Sequence, residues 1–197
     1  MFSLNVPLPP AVDRLANDRH PDLVAFDRIR ERHTLVCKRF ESAVLDDGGG
    51  FNGGSGFNGG GGVRGGDRDP GRARDRAVTR LRERLRPVLA GTDPLDLSIT
   101  GIGYFEEPAR GPGPVVYLRV DGDDLVRLHR RLCRAFEPVS GIEGEAYVPH
   151  VTLARGGPVD RAQALAESEI DRIDWRARSL TIYDPDFREP AGTVSLE

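Results

Sequence analysis

Apolar and polar residues alternate from Phe2 through Ser3, Leu4 and Asn5 to Val6, and the alternation stops at Pro7, Pro9 and Pro10. A period of two ending in prolines predicts a short strand followed by a turn. Residues 11–20 read as a helix, and residues 32–40, with His33, Val36 and Phe40, as a β-rich strand. Asp69-Pro70 is a helix start, with aspartate as cap and proline in the first turn. Val78, Leu81, Leu85 and Val88 then recur at helical spacing up to Gly91, a C-terminal stop. Residues 95–99 and 102–105 predict one long strand or two short ones. Residues 115–120 pair with them as a hairpin across the turn-forming 108–114. A second amphipathic helix over 123–136 turns Leu125, Leu128, Leu132 and Phe136 inward. A strand over 147–155, a helix over 159–168 and strands at 180–183 and 193–196 complete the chain. Helices alternating irregularly with mostly antiparallel strands imply an α+β fold.

This pattern is interrupted once. From about residue 46 to 69 the chain is dominated by glycine, and Phe51-Asn52-Gly53-Gly54 is echoed at Phe57-Asn58-Gly59-Gly60. Glycine loses the most backbone freedom on ordering, and apolar groups are too sparse here to offset that loss, so a disordered surface insertion is expected. It contains no lysine and is too long to be held taut as a phosphate loop. The remaining chain, with 38% apolar residues in 197, suffices for a single domain over residues 1–197 interrupted by that insertion. The net charge of −3 argues against nucleic-acid binding driven by overall charge. Arginine outnumbers lysine throughout, Lys38 being the only lysine, a compositional bias to which no function attaches. Cys37 and Cys133 stand far apart without zinc-type spacing, so neither a disulfide framework nor a structural metal is indicated. With no basic leader and no membrane-length apolar run, the expectation is a soluble, cytoplasmic monomer.

Four histidines carry the candidate chemistry. His20, before Pro21, suits a solvated helix end, and His129, beside an apolar stripe, suits packing. His150 differs. Pro149 lacks an N–H and holds Val148 extended, while Thr152 lies two positions on. Residues i and i+2 of a strand share a face about 7 Å apart, so an imidazole and a small hydroxyl would face one phosphate together. The imidazole can move a proton and the hydroxyl can bind a non-bridging oxygen.

Pro149-His150-Val151-Thr152-Leu153, taken with Arg30-Glu31-Arg32-His33-Thr34-Leu35 upstream, resembles the two histidine motifs of the 2H phosphoesterases. Within that superfamily the chain is most similar to the RNA 2′,3′-cyclic phosphodiesterase / 2′-5′ RNA ligase proteins. The N-terminal strand, Arg155 after the second motif, and the ending Leu180-Thr181-Ile182-Tyr183 to Gly192-Thr193-Val194 support the resemblance. The separation of His33 from His150 is long for the family, and setting aside the glycine insertion shortens it. One departure stands out. The family pattern is H-x-[ST], whereas His33 is followed by Thr34 and Leu35, so in a regular strand Thr34 faces away from His33 unless a β-bulge re-aims it.

The resemblance implies a bilobal, pseudo-twofold fold, mostly antiparallel sheets flanked by helices around a central cleft. It implies metal-free, cofactor-free acid/base catalysis on RNA ends or nucleoside 2′,3′-cyclic phosphates. His150 is then the proton acceptor and His33 the proton donor, with Thr152, Arg155 and Thr34 on the phosphate and a 2′-phosphate as product. The reverse reaction would be 2′-5′ ligation. The alternatives are a non-catalytic RNA-end or nucleotide-binding module with a degenerate first motif, and a phosphodiesterase of small nucleotides. Arg127, Arg130, Arg131 and Arg134 form a helical stripe that could grip phosphates, although a solvated face is the simpler reading.

Overall fold

The computed structural model describes residues 1–41 and 70–197, so the glycine-rich insertion expected at about 46–69 lies outside the described residues. In chain order the elements are β1 (Phe2–Val6), α1 (Pro10–Asp18), α2 (His20–Leu23), β2 (Arg28–Ile29), β3 (Leu35–Phe40), α3 (Pro70–Leu89), β4 (Leu95–Phe105), β5 (Val115–Asp121), α4 (Asp123–Ala135), a 3₁₀ turn (Gly144–Ala146), β6 (His150–Arg155), α5 (Val159–Glu167), β7 (Ile173–Ala177), β8 (Ser179–Asp184) and β9 (Glu189–Ser195).

The strands join one antiparallel sheet in the order β7-β4-β5-β6-β3-β1-β8-β9, with the short β2 paired to β6. Its two halves, β7-β4-β5-β6 and β3-β1-β8-β9, meet at β6 and β3, where Leu35 pairs with Val151. Helices flank this curled sheet, and the α+β class expected from the pattern is the one observed. No helix among the described residues is long and apolar enough to cross a membrane.

The helices bury the faces that their periodicity predicts. In α3, Leu81 and Leu85 are fully enclosed and Leu89 nearly so, whereas Val88 is only partly buried. In α4, Leu125, Leu128 and Leu132 are buried, and Phe136 meets Phe40 edge-on at 5.0 Å. Gly91, at φ +65°, takes the left-handed conformation that glycine permits after a helix end. Two local expectations need correction. The first strand motif begins at Leu35, leaving His33 and Thr34 just ahead of β3, and the strand over 147–155 starts only at His150, after the 3₁₀ turn. Strand β7 was not expected: Ile173-Asp174-Trp175-Arg176-Ala177 alternates, but it is short and flanked by charged residues without turn signals.

One buried polar cluster fixes the segment before β6. Lys38 is fully enclosed, and its three ammonium protons meet the carbonyls of Arg39 (2.6 Å) and Glu137 (3.0 Å) and Oε2 of Glu143 (2.7 Å). The Glu143 carboxylate also accepts the backbone N–H groups of Arg39 (2.7 Å) and Val139 (2.9 Å). His129, fully buried, donates from Nδ1 to the Cys37 carbonyl (2.7 Å) and accepts the Gly144 N–H at Nε2 (2.9 Å), while its ring stacks on Tyr147 at 3.7 Å. Burial lowers its pKa, which keeps Nε2 an acceptor. Because this cluster ties residues 137–147 to β3, removing one charge strands the other. Glu143→Gln is expected to destabilise the fold by about 3–5 kcal/mol in urea unfolding, with partial recovery when Lys38→Met is added. A loss below about 1 kcal/mol would show that the pair is dispensable.

Candidate active site

Strand β6 carries His150, Thr152 and Arg155 on one face, and a bulge makes this possible. Against β5, Ala154 pairs with Val116 and Thr152 with Tyr117, so Leu153 is an extra residue. Leu153 and Ala154 consequently both turn into the core, at 0% exposure, and Arg155 returns to the face of His150 and Thr152. A regular strand would send Arg155 the other way. Beyond it, Gly156 and Gly157 both have positive φ, which ends the strand in a turn.

His150 is held from several sides. Its Nδ1–H donates to the Val148 carbonyl at 2.7 Å, which leaves Nε2 as the basic nitrogen. The ring meets Phe105 edge-on at 5.4 Å and Tyr117 at 5.3 Å, and these two stack on each other at 4.4 Å. Its pKa lies below the ordinary histidine value, first because the ring is desolvated, then because Arg39 and Arg155 repel a proton there; the Val148 bond opposes this only in part. The neutral, proton-accepting form is therefore favoured.

A cavity of about 590 Å³ opens over this face, and β3 supplies its other wall. Arg32, Thr34 and Val36 line it at every second position, after which a bulge at Cys37 puts Cys37 and Lys38 both into the core and brings Arg39 back to the cavity. Thr34 thus shares the cavity of His150, Thr152 and Arg155, without any bulge at Thr34 itself. His33 does not. It lines an adjoining cavity of about 440 Å³ with Asn5 and Thr181, where its Nδ1 lies 3.7 Å from Oδ1 of Asp13. Burial lowers its pKa, partly offset by Asp13. Arg32 and Thr34 line both cavities.

Sequence reasoning missed Arg39 and Tyr147. Tyr147 donates its hydroxyl to the Val36 carbonyl at 2.9 Å and so closes one side of the cavity. The period of two running through Thr34 and Val36 could have found the face, but the Cys37 bulge hides Arg39 from it. The arginine stripe of α4 lies elsewhere, in a depression with Thr92 and Asp93, where Arg131 bonds the Thr92 hydroxyl and Arg127 pairs with Asp124. Among the described residues, no group of three or more histidine, cysteine or acidic side chains is placed to hold a metal ion. The larger open concavity across β4, β5 and β7 is lined by Asp96, Asp121, Asp123 and Asp174 against Arg119 and Arg172, a balance less suited to an anion.

An imidazole held as a base, two threonine hydroxyls and flanking guanidinium groups can bind a phosphoester and take a proton from its attacker. The comparisons agree with that chemistry. A crystal structure of TT0787 of Thermus thermophilus has a similar fold, with a TM-score of 0.56 over 99% of this chain and 97% of that one at 15% identity. No match was found among curated protein sequences. The family model of the 2′-5′ RNA ligase superfamily matches residues 68–187, which include His150, Thr152 and Arg155 and leave out the first motif. As that match spans more than half of the sequence, the chain belongs to the 2′-5′ RNA ligase superfamily of 2H phosphoesterases, whose membership supports RNA phosphoesterase or ligase-type chemistry.

Proposed function

We propose that the protein opens RNA 2′,3′-cyclic phosphate ends, with His150 as the group that moves the proton. The observation that carries the reading is that His150, Thr152, Thr34 and Arg155, drawn from both halves of the sheet, line one cavity. Water attacks phosphorus as Nε2 of His150 accepts its proton, while Thr152, Thr34 and Arg155 hold the non-bridging oxygens. The bond from phosphorus to the 3′ oxygen breaks, that oxygen takes a proton from solvent to become the 3′-hydroxyl, and a 2′-phosphate results. By reversal, a 5′-hydroxyl attacking the cyclic phosphate would give a 2′-5′ linkage. A second reading, an RNA-end-binding module without turnover, is favoured by the position of His33 in the neighbouring cavity.

Incubation with a nucleoside 2′,3′-cyclic phosphate tests the first reading. His150→Ala is expected to lower conversion by about 10²–10⁴-fold, the range of a lost general base. Binding of the cyclic phosphate with no conversion by the wild type would instead establish the second reading. Thr152→Val is expected to weaken binding by about 1.5–3 kcal/mol through loss of a hydrogen bond to an anionic oxygen, read by titration calorimetry.

The pH dependence follows from His150. Since its pKa is lowered and the neutral ring is the active form, the rate of conversion should hold from neutral pH into mild acid. It should then fall only as the pH drops through a value below the ordinary histidine pKa. An acid limb at or above that ordinary value would contradict this assignment.

A further inference from the structure

The concavity across β4, β5 and β7 is continuous with the cavity of His150. Val148 lines both, and Tyr117, in the wall of the first, lies 5.3 Å from the His150 ring of the second. At about 960 Å³ it has room for a nucleoside. Two glycines shape it. Arg119 pairs with His150 in the register of β5 and β6, so the two side chains start side by side on one face. On the other side of β5, Gly101 pairs with Arg119 and Gly103 with Tyr117. A Cβ at Gly103 would stand 2.8 Å from the Tyr117 ring and 2.9 Å from Nε of Arg119, and one at Gly101 would stand 3.9 Å from a guanidinium nitrogen of Arg119. The bare backbone therefore lets Arg119 lie across β4 beside Tyr117, where it lines the concavity and not the cavity of His150.

The charged groups of the concavity divide into engaged and free ones. Arg172 holds Asp174 at 2.8 Å and the Ser98 hydroxyl at 2.5 Å, and Arg176 approaches Asp96 at 3.7 Å. Arg119, Asp121 and Asp123 make no ion pair or side-chain hydrogen bond among the described residues. One planar cation and two carboxylates are thus left for a ligand. Their balance is negative, which disfavours a phosphate group. It suits a nucleoside: the guanidinium plane takes the face of a base, and the carboxylates accept hydrogen bonds from ribose hydroxyls.

We propose that this concavity seats the nucleoside preceding the terminal one, with its base stacked on Arg119, so that RNA ends of two or more nucleotides are used in preference to a mononucleotide. The proposal rests on the phosphoesterase reading of the adjoining cavity. With the terminal cyclic phosphate at His150, the chain passes Val148 and lays its preceding nucleoside beyond Tyr117. Arg119 is then a specificity residue for substrate length, and it takes no part in moving protons.

The test compares three substrates: adenosine 2′,3′-cyclic phosphate, the same nucleotide carrying a 5′-phosphate, and adenylyl-adenosine ending in a 2′,3′-cyclic phosphate. Each is given to the wild type, Arg119→Ala and Arg119→Lys. In the wild type the dinucleotide is expected to exceed the mononucleotide at least about tenfold in kcat/KM, within the range of one base stacked on a side chain. The 5′-phosphate alone should supply little of that gain. Both variants should lose most of it, lysine included, since it keeps the charge without the plane. A wild-type advantage below about tenfold overturns the inference. So does a 5′-phosphate that accounts for the whole gain, or a full gain in Arg119→Ala or Arg119→Lys, and each of these leaves the function standing. If no substrate is converted, the phosphoesterase reading falls, and the same comparison made on dissociation constants by titration calorimetry decides the subsite.

Discussion

The backbone pairing of β3 with β6 is the constraint on which the rest of the molecule depends. It joins the two halves of the sheet at Leu35 and Val151, both fully buried, and every side chain near the site takes its direction from that register. Successive residues of an extended chain point to opposite faces, so shifting this seam by one residue would exchange the core and cavity sets in both strands. A single extra residue in each strand then does what a regular strand could not. It directs two consecutive residues into the core and returns an arginine to the cavity, at Arg39 on one side and Arg155 on the other.

What keeps the far wall of the cavity in place is electrostatic. The chain's one lysine sits at its most enclosed cationic position, where a compact ammonium with three donors meets three acceptors, a geometry that a planar guanidinium would not reproduce. Glu143 binds that ammonium and the Arg39 N–H together, while His129 and Tyr147 stack between α4 and β3. Interactions remote from the phosphate-facing groups therefore set the position of Arg39 and of the turn leading to His150.

The balance of charge in the cavity explains why one histidine differs from the others. Desolvation and two guanidinium groups all disfavour a proton on His150, which suits a base and disfavours an acid. His33, in the adjoining cavity, has a carboxylate beside it instead. Burial lowers the pKa of both rings, while their charged neighbours differ, arginines beside His150 and a carboxylate beside His33.

Much of the architecture was legible in the chain. The apolar stripes of α3 and α4, the hairpin of β4 and β5, and the α+β class follow from periodicity, because burying an amphipathic face is a local pattern with a global consequence. The motif around His150 was legible for a similar reason, Pro149 and the His150–Thr152 spacing being local. The boundaries of β3, the existence of β7, the company of His33 and the aim of Arg39 were not. Each depends on a partner strand: a bulge is a mismatch between two strands, and no single stretch of sequence records where its neighbour's register slips. The sequence by itself determined which residue types could handle a phosphoester and that His150 and Thr152 share a face. Only the tertiary structure decided that Arg39 and Thr34 line their cavity, because the phase of β3 is set by its pairing with β1 and β6.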